Sequence, residues 1–235
     1  MSKPAGESEN QTALTNRLHS MYGRRFPEQE RAARLAMWRV LCRGFFQRYV
    51  DPSWTVLDLA AGQCEFINNI TAARRIAVDA NRTLPEFAAT GVESIIALST
   101  DLSTIDPGTV DCVFTSNFFE HLPTRESLLI TLSEVRKVLR PTGRLLVLQP
   151  NIRYTGAAYW DFLDHQLPLT EQSLVEALEL SGFTPVELIP RFLPYTTKSR
   201  LPKSPWLIEL YLRIPLAWRL LGQQTWVVAQ PTPAG

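Results

Sequence analysis

Apolar residues along this chain follow two periods, one helical and one extended. From Pro27 to about Tyr49, Leu35, Trp38, Leu41, Cys42, Phe45 and Tyr49 recur at steps of three and four, giving one apolar helix face. Pro27 suits a first-turn position, Glu28 and Glu30 suit the positive end of the helix dipole, and Asp51-Pro52 ends the helix. Short apolar runs then predict strands at Trp54–Leu59, Arg75–Val78, Ser94–Leu98, Asp111–Thr115, Arg144–Leu148, Phe183–Ile189 and Thr225–Ala229. Between them the pattern predicts helices at Glu65–Ala73, Thr83–Thr90, Thr124–Leu139 and Thr170–Ser181. Thr124 can cap the third of these, and Pro141 and Gly143 stop it. Apolar strands separated by amphipathic helices imply an α/β fold with a largely parallel sheet covered on both faces.

Composition narrows this picture. The 235 residues suffice for one α/β domain, and 45% hydrophobic content argues against disorder. We read residues 1–12 as a disordered lead-in, 13–52 as a helical extension and 53–235 as the main domain, with an insert at 151–170 and a helical cover at 202–223. A net charge of +1 gives no electrostatic case for a nucleic-acid partner. Cys42, Cys64 and Cys112 are scattered without a CxxC pair, so the reading is no metal, no disulfide framework and a reducing cytoplasm. The opening MSKPAGESENQT has no apolar core of the kind a signal peptide needs.

The strongest chemical signal is Val56-Leu57-Asp58-Leu59-Ala60-Ala61-Gly62-Gln63-Cys64-Glu65-Phe66, a strand running into a tight turn of small residues. Such a turn lets backbone approach a ligand closely, and Gly62 can take conformations closed to other residues. Asp79 ends the next strand, 21 residues after Asp58, where an acid can accept hydrogen bonds from both ribose hydroxyls. Gly62 is followed by Glu65 with no Lys or Arg beside it, which disfavours the pyrophosphate of a nicotinamide cofactor.

This pattern resembles the glycine-rich motif of class I S-adenosylmethionine-dependent methyltransferases, an acid followed by G-x-G-x-G. Ala60 and Cys64 depart from it, and only Gly62 is kept. Asp101-Leu102, Ser116-Asn117-Phe118-Phe119-Glu120-His121-Leu122 and Leu139-Arg140-Pro141-Thr142-Gly143 are similar to later motifs of that class. The resemblance implies a Rossmann-like, doubly wound, mostly parallel seven-stranded sheet with helices on both faces, and S-adenosyl-L-methionine as cofactor. It implies contacts from Asp58, Ala60, Gly62, Asp79, Ala80, Asp101, Leu102 and Asn117. The segment 151–170 together with 202–224 is similar to bacterial methyltransferases of the type 11/12 group, several of them associated with polysaccharide or glycolipid assembly.

The acceptor side is less defined. Tyr159-Trp160-Asp161-Phe162-Leu163-Asp164-His165 joins aromatic rings, acids and a histidine, a set that suits sugars or other amphipathic acceptors. His165 is the first candidate for a general base and His121 the second; Tyr159, Trp160, Asp161 and Asp164 are candidate acceptor contacts. Each of these could instead pack or solvate the loop. The expected activity is O-methylation of a small-molecule, glycan or glycolipid acceptor. The alternative is an inactive cofactor-binding subunit that serves a partner. Trp206–Leu221 is apolar except for Glu209, Arg213 and Arg219, with a kink expected at Pro215. It reads either as an ordinary cover that buries its apolar side or as a surface touching the inner face of a membrane, with Lys198, Arg200 and Lys203 upstream. Arg24 and Arg25 are solvated charges or contacts for an anionic acceptor.

Overall fold

The computed structural model describes residues 28–195 and 204–233. The proposed lead-in at 1–12, the extension before Glu28 with Pro27, Arg24 and Arg25, and Lys198, Arg200 and Lys203 lie outside the described residues.

Among the described residues seven strands form one sheet: β1 Thr55–Leu59, β2 Arg74–Asp79, β3 Val92–Ile96, β4 Val110–Ser116, β5 Leu139–Pro150, β6 Phe183–Ile189 and β7 Gln224–Pro231. Their order is β3-β2-β1-β4-β5-β7-β6. β1 to β5 pair in parallel, and β7 runs antiparallel to both β5 and β6. β7 alone is therefore reversed, and the chain changes direction across the sheet between β1 and β4. Ligands of open α/β sheets sit at such a switch point, beyond the carboxyl ends of the strands.

The helices are α1 Glu28–Gly44, α2 Leu84–Phe87, α3 Arg125–Val138, α4 Ile152–Thr155, α5 Glu171–Leu180, α6 Pro205–Leu212 and α7 Pro215–Leu221. Alternation along β1 sends Leu57 and Leu59 to one face and Val56 to the other. On the first face they meet Leu128, Leu132 and Val135 of α3 and Leu174 and Leu178 of α5. On the second, Leu41, Phe45, Phe46 and Trp226 form an aromatic core; Phe45 stacks on Phe192 at 4.1 Å and Phe66 on Phe114 at 3.7 Å. α1 thus contributes to the main core and is not a separate appendage.

Local capping chemistry accounts for two helix starts. The Thr124 hydroxyl accepts from the Ser127 N–H at 3.1 Å at the start of α3, and Thr170 and Ser173 form a reciprocal capping box on α5.

Four sequence expectations need correction. The helix expected at 65–73 is a run of turns over 62–69. Asn68 donates its side-chain amide to the Phe87 carbonyl and accepts from the Ala89 N–H, both at 2.8 Å, and Asn69 bonds the Glu65 carbonyl at 2.8 Å. These side chains compete with the helical ladder. The segment expected to kink at Pro215 is instead two helices, with Arg213 and Ile214 between them and Pro215 opening the second. β5 also starts earlier than expected, at Leu139, and the helix expected at 83–90 is the single turn of α2.

Candidate functional site

The end of β1 leads into a turn whose backbone departs from ordinary L-residue geometry. Ala60, Gly62 and Cys64 all have positive φ, at 58°, 54° and 61°. These are the three positions where the resemblance expects glycine, so the chain keeps the conformation while two of the residues carry a Cβ. Left-handed geometry costs an L-residue roughly 1–2 kcal/mol, so neighbouring structure must hold it. Cys64 is fully buried in the aromatic-side core, which anchors that position. At Gly62 an added Cβ would meet nothing within 4 Å, so the turn faces open space there.

The acids of this region divide the work. Asp79, at the tip of β2, accepts from the Gly62 N–H at 2.8 Å and from the Asn81 N–H at 2.8 Å, tying β2 to the turn. Ala80 is exposed beside it. Asp58 is buried beneath the turn; burial raises its pKa well above the usual carboxylate range, against the opposing hydrogen bond from the Ile67 N–H. Asp101 is exposed, and the side-chain and backbone hydrogen bonds of Ser103 hold its pKa below the usual range. Leu102 is buried in the α3-side core, and its N–H donates to Glu134 at 3.1 Å. Asn117 closes β4 with φ 48°, a conformation asparagine tolerates, and its N–H bonds the Leu148 carbonyl at 2.9 Å.

One residue of this region escaped the sequence reading. Arg34 on α1 is 5% exposed; it donates to Glu65 Oε1 at 3.3 Å and to Gln63 Oε1. The helical extension therefore grips the turn across 31 residues of sequence. In the sequence it shows as an arginine one turn before Trp38 of the apolar face.

Beyond β4 and β5 a second cluster gathers. His121 Nδ1 lies 3.2 Å from Asp164 Oδ2, and the His121 and His165 ring centres are 5.0 Å apart at 71°. Burial pulls the His121 pKa down, but its hydrogen bond to Asp164 and the charges of Glu120 and Asp164 lift it above the ordinary value. His165 is buried; its Nδ1 is 2.9 Å from the Tyr159 carbonyl and 3.2 Å from the Tyr195 hydroxyl. Donation from Nδ1 to that carbonyl fixes the tautomer whose lone pair is on Nε2.

Glu120, also missed from sequence, is fully buried: it accepts from the Gln149 side chain at 2.8 Å, and burial raises its pKa. Its backbone carbonyl accepts from the Gln166 and Leu167 N–H groups, pinning the insert to the β4 loop. Glu120, His121 and His165 each bring one ligand-type atom within 4.8 Å of the others.

Of the candidate acceptor contacts, Tyr159 is buried and donates its hydroxyl to the Leu167 carbonyl at 2.7 Å, so its role in this structure is to shape the insert. Trp160 and Asp161 are exposed, and Asp164 is half-buried against His121.

Residues 57–147 match the methyltransferase domain family. A SAM-dependent methyltransferase from Archaeoglobus fulgidus superposes with a TM-score of 0.65 at 22% identity, over 87% of this chain and 97% of that one. The methyltransferase complex with the Trm112 activator from Haloferax volcanii gives a TM-score of 0.65 at 14% identity, over 92% and 96% of the two chains. Geranyl diphosphate C-methyltransferase from Streptomyces coelicolor, solved with Mg2+, geranyl diphosphate and S-adenosyl-L-homocysteine, gives 0.58 at 15% identity, over 81% and 80%. An uncharacterised protein of transposon TN4556 from Streptomyces fradiae is 28% identical over 132 residues, 52% of this chain, and the match spans 35% of that relative's length. Among the described residues no helix is long and apolar enough to cross a membrane. Residues 57–147 thus match a methyltransferase domain family, and the chain has the fold of SAM-dependent methyltransferases of known structure.

Proposed function

We propose that this chain transfers a methyl group from S-adenosylmethionine to an oxygen of a small-molecule, glycan or glycolipid acceptor. The observation that carries the reading is the turn at 60–64: three consecutive alternate positions in left-handed geometry, with Asp79 fixed on the Gly62 N–H and open space in front. Asp79 would hold the ribose, Asp101 the adenine edge and Asn117 the methionine end. Ala60, Gly62 and Ala80 would offer close-approaching backbone, with Asp58 and Leu102 supporting from beneath. When bound, the cofactor supplies a methyl group already activated by its sulfonium.

The chain's own task is then alignment, exclusion of water and removal of the acceptor proton. His165 and His121 are the proposed bases. Asp164 holds His121 in orientation and favours its protonated form after proton transfer. Trp160 and Asp161, exposed on the same insert, are available to an amphipathic acceptor. A glycolipid acceptor would place the protein at the inner face of a membrane, in the cytoplasm.

Titration calorimetry with S-adenosylhomocysteine tests the cofactor half, and methyl transfer from labelled cofactor to hydroxyl-bearing glycans and glycolipids tests the acceptor half. Binding without transfer to any hydroxyl acceptor would leave the inactive partner subunit as the better reading. No binding would remove both.

A further inference from the structure

The cover between β6 and β7 has two apolar sides, and the fold uses only one. Ile208, Tyr211, Leu212 and Trp218 pack inward on the aromatic core, with the Tyr211 hydroxyl bonded to the Phe192 carbonyl and Trp218 Nε1 to the Tyr211 carbonyl. The outward side is equally greasy. Trp206, Leu210 and Ile214 lie at steps of four, as do Leu216 and Leu220 on α7. Trp206, Leu216 and Leu220 are 62%, 63% and 67% exposed, and neither α6 nor α7 buries a single residue fully. A helix needed only as a cover would present polar residues there.

The net charge of residues 204–222 is positive. Arg213 and Arg219 are exposed, while the one acid, Glu209, is paired with Arg43 of α1 at 2.5 Å. In sequence, residues 189–235 carry six basic residues and one acidic, against eighteen and twenty-two in the preceding 188. The chain is nearly neutral overall, and this stretch is net positive because it is almost without acids. Apolar side chains flanked by arginine match a surface of anionic headgroups over acyl chains.

The same cover is tied to the acceptor side. Arg191 donates to the Leu220 and Gly222 carbonyls at 2.8 and 2.9 Å, and its guanidinium lies 4.8 Å from the Tyr154 ring of α4. The Gln223 side chain bonds the Tyr154 carbonyl at 3.0 Å.

We propose that the outward side of α6 and α7, with Trp206, Leu210, Ile214, Leu216 and Leu220 flanked by Arg213 and Arg219, docks on an anionic phospholipid surface. Docking there sets the insert after β5 beside the bilayer, and so specifies a lipid-linked acceptor; this last step rests on the methyltransferase reading, whereas the docking itself does not.

Co-flotation of the full chain with phosphatidylcholine vesicles, and with vesicles of phosphatidylcholine and phosphatidylglycerol, tests it. Wild-type protein should float with the anionic vesicles and lose binding as salt is raised. The double variant Leu216→Glu/Leu220→Glu should lose ~tenfold or more in partitioning, since each leucine buried is worth that much. Arg213→Gln/Arg219→Gln, which keeps the apolar side, should bind anionic vesicles more weakly than wild type and with a smaller salt dependence. S-adenosylhomocysteine affinity and Tm should stay at wild-type values in both.

Failure to float with either vesicle type overturns the proposal. So does light scattering that shows a dimer broken by the glutamate pair, because the face would then belong to a second copy. Vesicle binding without S-adenosylhomocysteine binding would instead sink the methyltransferase reading and leave the docking surface standing.

Discussion

The two rims of one sheet edge hold their functional groups by different means. At the β1–β2 rim the geometry is in the backbone: left-handed residues at 60, 62 and 64, and an Asp79 carboxylate that binds main-chain N–H groups. At the β4–β5 rim it is in side chains: His121 on Asp164, His165 between Tyr159 and Tyr195, Glu120 on Gln149. A backbone cradle suits a ligand recognised by shape and by invariant hydroxyls. A side-chain cluster suits a step in which a proton moves, because its members can change charge. On the proposed function the difference separates binding from turnover, and substitutions on the two rims should separate them too.

The largest effect belongs to the side-chain rim. His165→Ala should lower turnover by about 10²–10⁴-fold, the usual contribution of a general base, with S-adenosylhomocysteine affinity unchanged by calorimetry. A loss of affinity comparable to the loss of turnover would mean that the two rims are one unit. Next comes the backbone rim. Asp79→Ala removes charge-assisted hydrogen bonds and should weaken cofactor binding by about 1–3 kcal/mol. Unchanged affinity in that variant would take Asp79 out of the site.

A pH profile sharpens the contrast further. Burial lowers the His121 pKa, but Asp164 and Glu120 together lift it above the ordinary value of 6.5. If the neutral imidazole is the base, kcat/KM rises with pH as His121 loses its proton, so the acid limb should have its midpoint above 6.5. Asp164→Asn removes the carboxylate that favours the imidazolium, so the midpoint should move to lower pH. A profile identical to wild type would show that His121 does not carry the limb.

These two rims were also unequally legible in the sequence. The turn and Asp79 are local: a strand, small residues and an acid at a fixed interval suffice to read them. The caps at Thr124 and Thr170 are local in the same sense. What escaped is long-range. Arg34 reaches Glu65 across 31 residues and Glu120 meets Gln149 across 29, contacts that no periodicity encodes. Tyr159 looked like an acceptor contact because aromatics are common in binding loops, yet its hydroxyl is spent on the Leu167 carbonyl. The missing helix after β1 failed for a related reason: Asn68 finds partners at Phe87 and Ala89, outside the window in which helix propensity is judged.

The smallest effect asks whether the left-handed turn is held by backbone or by packing. Ala60 and Cys64 share nearly the same φ, 58° and 61°, so the relief gained from glycine should be alike, about 1 kcal/mol, less the 0.5–1 kcal/mol that glycine adds in unfolded-chain freedom. Their surroundings differ. Ala60 is only half-buried, so Ala60→Gly should be neutral or slightly stabilising in denaturant unfolding. Cys64 is fully buried in the aromatic-side core, so Cys64→Gly also leaves a cavity and should destabilise by about 1–3 kcal/mol. Equal changes in the two variants would mean that backbone strain alone governs the turn. The expected divergence would mean that the thiol side chain fixes a conformation that glycine would otherwise be needed to permit, so a core contact stands in for a lost motif residue.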